Sequence, residues 1–215
     1  MVSAAAIQPV RRPVGIILAG GAGRRLGAAD KALCSLGGEA LLNHAIRVLS
    51  PQVDALAISA NGDPARFDAC GLPVIIDDLP GRLGPLAGLL AGLDWAARER
   101  PSAGWIITVP ADAPFLPVDL VARLAVAAGT RGAVAASRGR LHPVVGLWPL
   151  GTAADLRRAL VDDGLRRADA WVARQGAATV EWQADPVDPF FNINTPDDLA
   201  AAGRLLASRR SGRPG

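Results

Sequence analysis

The chain has 215 residues, half of them hydrophobic, which is enough to bury the core of one α/β domain or of two small ones. No apolar run approaches the roughly 18 residues that suggest a membrane span, and residues 1–13 lack the apolar block of a secretory signal. The formal net charge is +3, but removing five terminal arginines from the 23 basic residues leaves 18 against 20 acidic ones. A nucleic-acid-binding face needs basic residues clustered in the folded part, so we expect neither a nucleic-acid partner nor a membrane.

The charge distribution also sets the predicted domain organisation. We expect residues 1–13 to form an N-terminal tail, 14–207 a single domain and 208–215 a basic C-terminal tail. Cys34 and Cys70 are 36 positions apart with no CxxC motif, so neither a disulfide framework nor a structural zinc site is indicated. We therefore expect a cytoplasmic protein, with a monomer as the default for a domain of this size.

Short apolar runs alternate with helical patterns along the chain. Seven runs are predicted strands: Val14–Leu18, Ala55–Ser59, Val74–Ile76, Trp105–Val109, Ala133–Ala136, Val144–Leu147 and Ala178–Trp182. Apolar spacing and helix-start signals predict four helices, which are Leu41–Leu49 and three that begin at Gly84-Pro85, at Pro117 and at Thr195-Pro196. Continuous apolar strands are typical of parallel sheets covered on both faces. The alternation therefore predicts an α/β fold with a parallel sheet and helices on both sides.

Chemistry-bearing residues follow the early strands. In a sheet of this kind ligands bind beyond the carboxyl ends of the strands. The first strand is followed by a glycine-rich loop that contains Arg24, Arg25 and Lys31, and the next strands by Asn61, by Asp77 and Asp78, and by Asp112. Glycines let the backbone approach a ligand and point its N–H groups at phosphate oxygens. The sequence therefore predicts one crevice lined by amides, cations and carboxylates.

One lysine stands out in the composition. Lys31 is the single lysine of the chain, against 22 arginines. The two residue types differ where a compact ammonium must meet a phosphate in a tight site. The position of Lys31 at the end of the glycine-rich loop favours such a role.

Other nucleotide sites and a hydrolase site fit less well. Gly21, Gly23 and Gly27 resemble a dinucleotide-binding turn, but the second strand ends without the acid that holds a ribose. No lysine and hydroxyl residue follow a glycine as in a P-loop, and no GxSxG motif is present. Three cations with a strand-end carboxylate favour a nucleoside triphosphate with a divalent cation. An NAD-dependent oxidoreductase and a non-catalytic nucleotide-binding protein remain as alternatives of another class.

The segment from Leu18 to Lys31, LAGG-AG-RR-LG-AAD-K, resembles the signature of nucleotidyltransferases of the molybdenum cofactor guanylyltransferase type. The resemblance extends from Val14 to about Leu206 through the motifs Asp77, Gly84-Pro85-Leu86-Ala87-Gly88, Pro110-Ala111-Asp112-Ala113-Pro114, His142-Pro143 and Asn192-Ile193-Asn194-Thr195-Pro196. It implies a Rossmann-like three-layer α/β/α fold of the nucleotide-diphospho-sugar transferase type, with a mostly parallel sheet. It also implies transfer of GMP from GTP to the terminal phosphate of Mo-molybdopterin, which gives molybdopterin guanine dinucleotide and releases pyrophosphate.

The resemblance also implies roles for particular residues. Asp112 would bind Mg²⁺ and nucleotide, and Asn192 and Asn194 would lie on the molybdopterin side. The catalytic groups would be Arg25, Lys31 and Asp112, and the GTP contacts Leu18, Ala19, Gly20, Gly21, Lys31, Asn61, Asp77 and Asp112. Ser59 and Leu26 stand where the family motif has asparagine and methionine.

The residues themselves discriminate the base poorly, because base choice depends on loop amides and backbone. A cytidylyltransferase for the same cofactor and a sugar nucleotidyltransferase of the same fold therefore remain as alternatives. The resemblance further implies transient contact with a molybdenum insertion enzyme upstream and with molybdoenzymes or their chaperones downstream.

Overall fold

The computed structural model describes residues 12–20, 30–79 and 83–211. Their centre is a seven-stranded sheet with the strand order β5-β4-β1-β6-β8-β7-β9. The strands are β1 (Val14–Leu18), β4 (Ala55–Ser59), β5 (Val74–Ile75), β6 (Trp105–Pro110), β7 (Ala133–Ser137), β8 (Arg140–Pro149) and β9 (Ala178–Trp182). A separate two-stranded hairpin pairs β2 (Ser35–Leu36) with β3 (Glu39–Ala40).

The sheet is mostly parallel. β1 pairs in parallel with both β4 and β6, β5 extends this half beyond β4, and β7 pairs in parallel with β9. Only β8 among these strands runs against its neighbours, between β6 and β7. Because β8 reverses direction between them, β6 and β7 point the same way, and their carboxyl ends lie on the edge where β1 and β4 also end.

Alternate residues of the central strands point to opposite faces of the sheet. In β1, Ile16 and Ile17 are both fully buried but belong to separate hydrophobic clusters, one on each face. This explains why the central strands are apolar without alternation, since both of their faces are covered.

Helices cover both faces and complete three layers. The helices are α1 (Leu41–Leu49), α2 (Pro85–Glu99), α3 (Leu120–Ala127), α4 (Ala153–Val161), α5 (Ala168–Gln175) and α6 (Pro196–Ser211). One face carries α1 and α3, and the other carries α2, α4 and α5. The sixth helix, α6, packs against the hairpin of β2 and β3 in a third, smaller cluster. The α/β/α layering and the mostly parallel sheet confirm the predicted fold class.

Two parts of the predicted element list are wrong or incomplete. The predicted helix start at Pro117 is three residues too early, because Asp119 is not helical (φ −102°, ψ 11°) and α3 begins at Leu120. The helices α4 and α5 and the hairpin of β2 and β3 were not predicted. Throughout the described ranges, no helix has both the length and the apolar character required to cross a bilayer.

Candidate functional site

Lys31 begins a short 3-10 turn just beyond the glycine-rich loop. The turn covers Lys31–Leu33, and Asp30 caps it because its Oδ1 accepts a hydrogen bond from the amide of Ala32 at 3.0 Å. The Lys31 side chain is 18% exposed, so its ammonium is largely withdrawn from water. The cap fixes the backbone from which this ammonium extends.

Asp112 lies two residues after β6, on the neighbouring strand end. The amide of Ala111 donates to the carbonyl of Leu18 at 3.0 Å, and the amide of Ile193 donates to the carbonyl of Asp112 at 3.1 Å. These backbone bonds hold the ends of β1 and β6 and the segment before α6 together.

The Lys31 ammonium joins these segments through its side-chain contacts. Lys31 Nζ forms an ion pair with Asp112 Oδ2 and donates to Asn194 Oδ1 at 2.7 Å. Residues 81 and 163 positions apart in the chain therefore meet at one ammonium. The structure brings Lys31, Asp112 and Asn194 together, and the contact of Asn194 with Lys31 was not predicted.

A pocket opens beside this ion pair. It is open to solvent, and its empty space is about 230 Å³ when the open solvent at its mouth is included. The lining residues are Leu18, Ala19, Gly20, Lys31, Ala32, Ala111 and Asp112. Five of the predicted nucleotide-binding residues therefore lie around one cavity at the carboxyl ends of β1 and β6.

One carboxylate oxygen of Asp112 has no hydrogen-bond partner among the described residues. This atom, Oδ1, is buried, although a buried carboxylate oxygen normally has a partner. The described part of the chain holds no group of three or more His, Cys, Asp or Glu side chains suited to a metal ion. Mg²⁺ commonly binds through one or two carboxylates together with substrate phosphates, so a single orphaned oxygen fits this mode.

Asn61 and Asp77 form a second polar pair at the ends of β4 and β5. Asn61 Nδ2 donates to Asp77 Oδ2 at 2.5 Å, and the amide of Asp77 donates to Asn61 Oδ1 at 3.2 Å. Neither residue lines the pocket beside Lys31. The predicted GTP contacts thus fall into two clusters along one edge of the sheet.

The start of α6 holds the predicted acceptor-side residues. Thr195 Oγ1 accepts from the amide of Asp198 at 3.1 Å, while Asp198 Oδ2 accepts from the amides of Asn194 and Thr195, both at 2.9 Å. This reciprocal capping confirms the predicted helix start and orients Asn194 towards Lys31. The bond to the amide of Asn194 is the largest cause of the lowered pKa of Asp198. Asn192 lies on the same segment and accepts from Asn194 Nδ2 through its carbonyl at 3.5 Å.

Other predicted positions differ in what the structure shows of them. Gly21 and Arg25 lie outside the described residues. Ser59 is buried (4% exposed). A Cβ added at Gly88 would lie 2.8 Å from Ser59 Oγ and 3.0 Å from Leu18 Cδ2. Close packing between α2 and the strands therefore accounts for the glycine at position 88.

The structure also shows polar contacts at this edge that the sequence interpretation missed. Arg66 pairs with Asp30, and its only sequence signal is the acid directly before Lys31. Farther along the edge, Ser137 Oγ lies 2.7 Å from His142 Nε2 and 2.9 Å from Asp188 Oδ1. His142 belongs to the His142-Pro143 motif, to which the sequence interpretation gave no role.

A family model and curated relatives match most of the chain. Residues 15–179 match the model of the MobA-like NTP transferase domain. Molybdenum cofactor guanylyltransferase of Rhodopseudomonas palustris (strain HaA2) is 56% identical over 196 residues, which are 90% of this chain and 92% of that protein. The protein of the same name from Bradyrhizobium sp. (strain ORS 278) is 54% identical, again over 90% of this chain and 92% of its own.

A solved structure shows the same fold at lower identity. Molybdopterin-guanine dinucleotide biosynthesis protein A from Archaeoglobus fulgidus superposes with a TM-score of 0.68, at 23% identity, over 91% of this chain and 99% of that one. The domain match and the high identity to full-length relatives decide the family more directly than the fold does. The chain belongs to the MobA-like NTP transferases, as a nucleotidyltransferase of the molybdenum cofactor guanylyltransferase family.

Proposed function

We propose that this enzyme transfers GMP from GTP to the terminal phosphate of Mo-molybdopterin, giving molybdopterin guanine dinucleotide and pyrophosphate. The observation that carries the proposal is the meeting of Lys31 and Asp112 at one pocket. A cation and an acid side by side suit a ligand that brings both a polyphosphate and its counter-ion. The names of the relatives at 56% and 54% identity supply the base and the acceptor.

The reaction joins two anions, so positioning and charge neutralisation dominate its catalysis. An oxygen of the acceptor phosphate forms a bond to the α-phosphorus of GTP. The bond from that phosphorus to the oxygen bridging to the β-phosphate breaks, and its electron pair leaves with pyrophosphate. No covalent enzyme intermediate is needed. Lys31 neutralises charge on the triphosphate and on the departing pyrophosphate, and Arg25 of the preceding loop would add to this.

The ion pair prepares the site for its ligand. While the pocket is free of nucleotide, Lys31 and Asp112 neutralise each other. When a triphosphate binds, its oxygens would replace Asp112 as the partner of the Lys31 ammonium. The Asp112 carboxylate would then be available to a cation. The backbone of Leu18, Ala19, Gly20 and Gly21 would lie along the nucleotide.

We include Mg²⁺ in the proposal, with Asp112 as its protein ligand. Held there, the ion would offset the negative charge of the triphosphate. The buried, unpartnered Oδ1 of Asp112 supports this assignment.

The remaining polar residues extend the site in two directions. Asn61 and Asp77 would contact the nucleoside end of GTP. Asn192 and Asn194 would face the acceptor, because Asn194 reaches the Lys31 ammonium from the segment before α6. Their common edge of the sheet supports a single binding cleft.

The proposal also covers how the enzyme works in the cell. Both cysteines of the chain are free thiols in the structure, which fits a reducing cytoplasm. We propose a monomer that meets the molybdenum insertion enzyme and the molybdoenzymes or their chaperones only transiently.

The direct test is product formation. The purified enzyme is incubated with Mg²⁺, Mo-molybdopterin and either GTP, CTP or ATP, and the products are identified by mass spectrometry. We expect the guanine dinucleotide and an equal amount of pyrophosphate from GTP. A clear preference for CTP would make the enzyme a cytidylyltransferase, and no product with any nucleotide would refute the proposal.

A further inference from the structure

Arg66 contacts three separate groups at the carboxyl ends of the strands. Its Nε donates to Asp30 Oδ2, its Nη2 to the carbonyl of Asn61 and its Nη1 to the carbonyl of Asp63, each at 2.6 Å. A Cβ added at Gly62 would lie 3.1 Å from Arg66 Nη1. The guanidinium therefore lies against the loop that follows β4 and is bonded on both sides of Gly62.

The acidic partner is almost buried. The Asp30 side chain is 9% exposed and that of Arg66 is 26% exposed. The two carboxylate oxygens of Asp30 have different partners. Oδ1 caps the turn that begins at Lys31, and Oδ2 accepts a hydrogen bond from Arg66. A carboxylate in this environment needs its counter-ion, since an unpaired buried charge is strongly unfavourable.

These contacts link the residue before Lys31 to the loops that follow β4 and β5. Asp30 precedes Lys31 in the chain and bonds to Arg66, which bonds to the carbonyl of Asn61, and the side chain of Asn61 bonds to Asp77. Among the described residues, the Arg66 guanidinium connects the two clusters of candidate site residues.

We propose that Arg66 is a positioning residue that locks the Asn61 loop to the Asp30 cap, and so fixes the spacing between the two ends of the nucleotide site. The inference rests on the proposed function, in which Lys31 holds the triphosphate and Asn61 with Asp77 holds the nucleoside. A nucleoside triphosphate that spans both ends binds best when their separation is preset. In this role Arg66 acts through its bonds to Asp30 and to the carbonyl of Asn61.

The test begins with three single substitutions in the full chain. Arg66→Ala removes the lock. Arg66→Lys keeps the charge, but one ammonium cannot reproduce three bonds from a planar fork. Arg157→Ala is the matched control, because Arg157 Nη2 also bonds an aspartate, Asp94, at 2.6 Å, in the contact between α4 and α2.

Steady-state kinetics with GTP provide the first measurement. We expect Arg66→Ala to raise the KM for GTP about tenfold or more while kcat stays within about threefold, since binding is weakened and the chemistry is not. Arg66→Lys should resemble Arg66→Ala, and Arg157→Ala should resemble the wild type. A double-mutant cycle adds Asp30→Asn. The KM of the double variant Arg66→Ala/Asp30→Asn should exceed that of the wild type by much less than the product of the two single fold-changes.

A second measurement needs no nucleotide. Hydrogen exchange at the amides of residues 60–63 should be faster in Arg66→Ala than in the wild type, and unchanged in Arg157→Ala. If the wild type neither binds nor uses GTP, the proposed function fails, and the exchange data alone decide whether Arg66 locks the loop. Unchanged exchange, full rescue of KM by Arg66→Lys, or a KM no higher than that of Arg157→Ala would each overturn the inference.

Discussion

At the scale of single residues, amino-acid composition alone indicates Lys31 as a candidate site residue. The one lysine among 22 arginines points to its site because a compact ammonium and a guanidinium are not interchangeable at a phosphate. Its meeting with Asp112 follows from parallel topology, since both residues come after strand ends. The Arg66–Asp30 ion pair could not be predicted, because nothing in the sequence marks which arginine reaches which acid.

Substitution of Lys31 tests its electrostatic role. We expect Lys31→Ala to lower turnover by about 10²-fold or more, the usual effect of losing one preorganised charged group. Lys31→Arg should remain well below the wild type, because the pocket beside Asp112 and Asn194 is shaped around an ammonium. Steady-state rates at saturating GTP measure both, and a thermal melt shows whether each variant is folded. Wild-type turnover in Lys31→Ala would mean that the pocket is not the reaction site.

At the scale of elements, the extent of burial determined which strands and helices could be predicted from the sequence. The strands β1, β4 and β9 and the helix α1 have the bounds that their apolar patterns predict. The hairpin of β2 and β3 was not predicted because its four strand residues form no apolar run and only Leu36 of them is buried. The helix α5 was not predicted because it buries only Trp171 and Val172. The antiparallel direction of β8 could have been predicted, because only Arg138 and Gly139 separate it from β7 and both have positive φ. A two-residue connection joins antiparallel strands, whereas parallel strands need a crossover of a dozen or more residues.

The packing of α2 on β1 makes an element-scale prediction. A Cβ added at Gly92 would lie 2.8 Å from Ile16 Cγ1 and 3.0 Å from its Cγ2, in a fully buried part of the core. We expect Gly92→Ala to lower the free energy of unfolding by about 1–3 kcal/mol relative to Gly203→Ala, because overpacking outweighs the gain in helix propensity. Gly203 is a suitable control, since it lies in α6 and an added Cβ there meets nothing within 4 Å.

Urea denaturation of the two alanine variants measures this difference. Gly203→Ala should match or exceed the stability of the wild type by up to about 1 kcal/mol. Equal gains from both substitutions would show that α2 does not pack against Ile16 as closely as the structure indicates.

At the scale of the whole molecule, the sheet edge gathers residues from distant parts of the chain. Ser137 at the end of β7 contacts both His142 of β8 and Asp188, which precedes the segment leading to α6. Burial lowers the pKa of His142 from its usual 6.5, opposed by the charge of Asp188, with smaller effects from Arg140 (lowering) and Glu181 (raising). The folded state therefore favours the neutral imidazole.

This shift gives a pH dependence with a definite sign. Because the folded pKa is below the unfolded one, the unfolded chain binds more protons in the interval between them, and stability falls as the pH drops below about 6.5. We expect His142→Gln to lose less stability than the wild type between pH 7.5 and pH 5.5. Urea midpoints at the two pH values measure it, and an equal or larger loss in the variant would contradict the shift.

The central claim is that Asp112 holds the counter-ion of the triphosphate that Lys31 binds, and calorimetric titration with GTP tests it most directly. GTP is titrated into the wild type and into Asp112→Asn, once in the presence of Mg²⁺ and once with EDTA in place of Mg²⁺. We expect removal of Mg²⁺ to weaken GTP binding about tenfold or more in the wild type. In Asp112→Asn the loss should be less than about threefold, since the variant lacks the charged ligand. Full retention of the magnesium effect in Asp112→Asn would contradict the account.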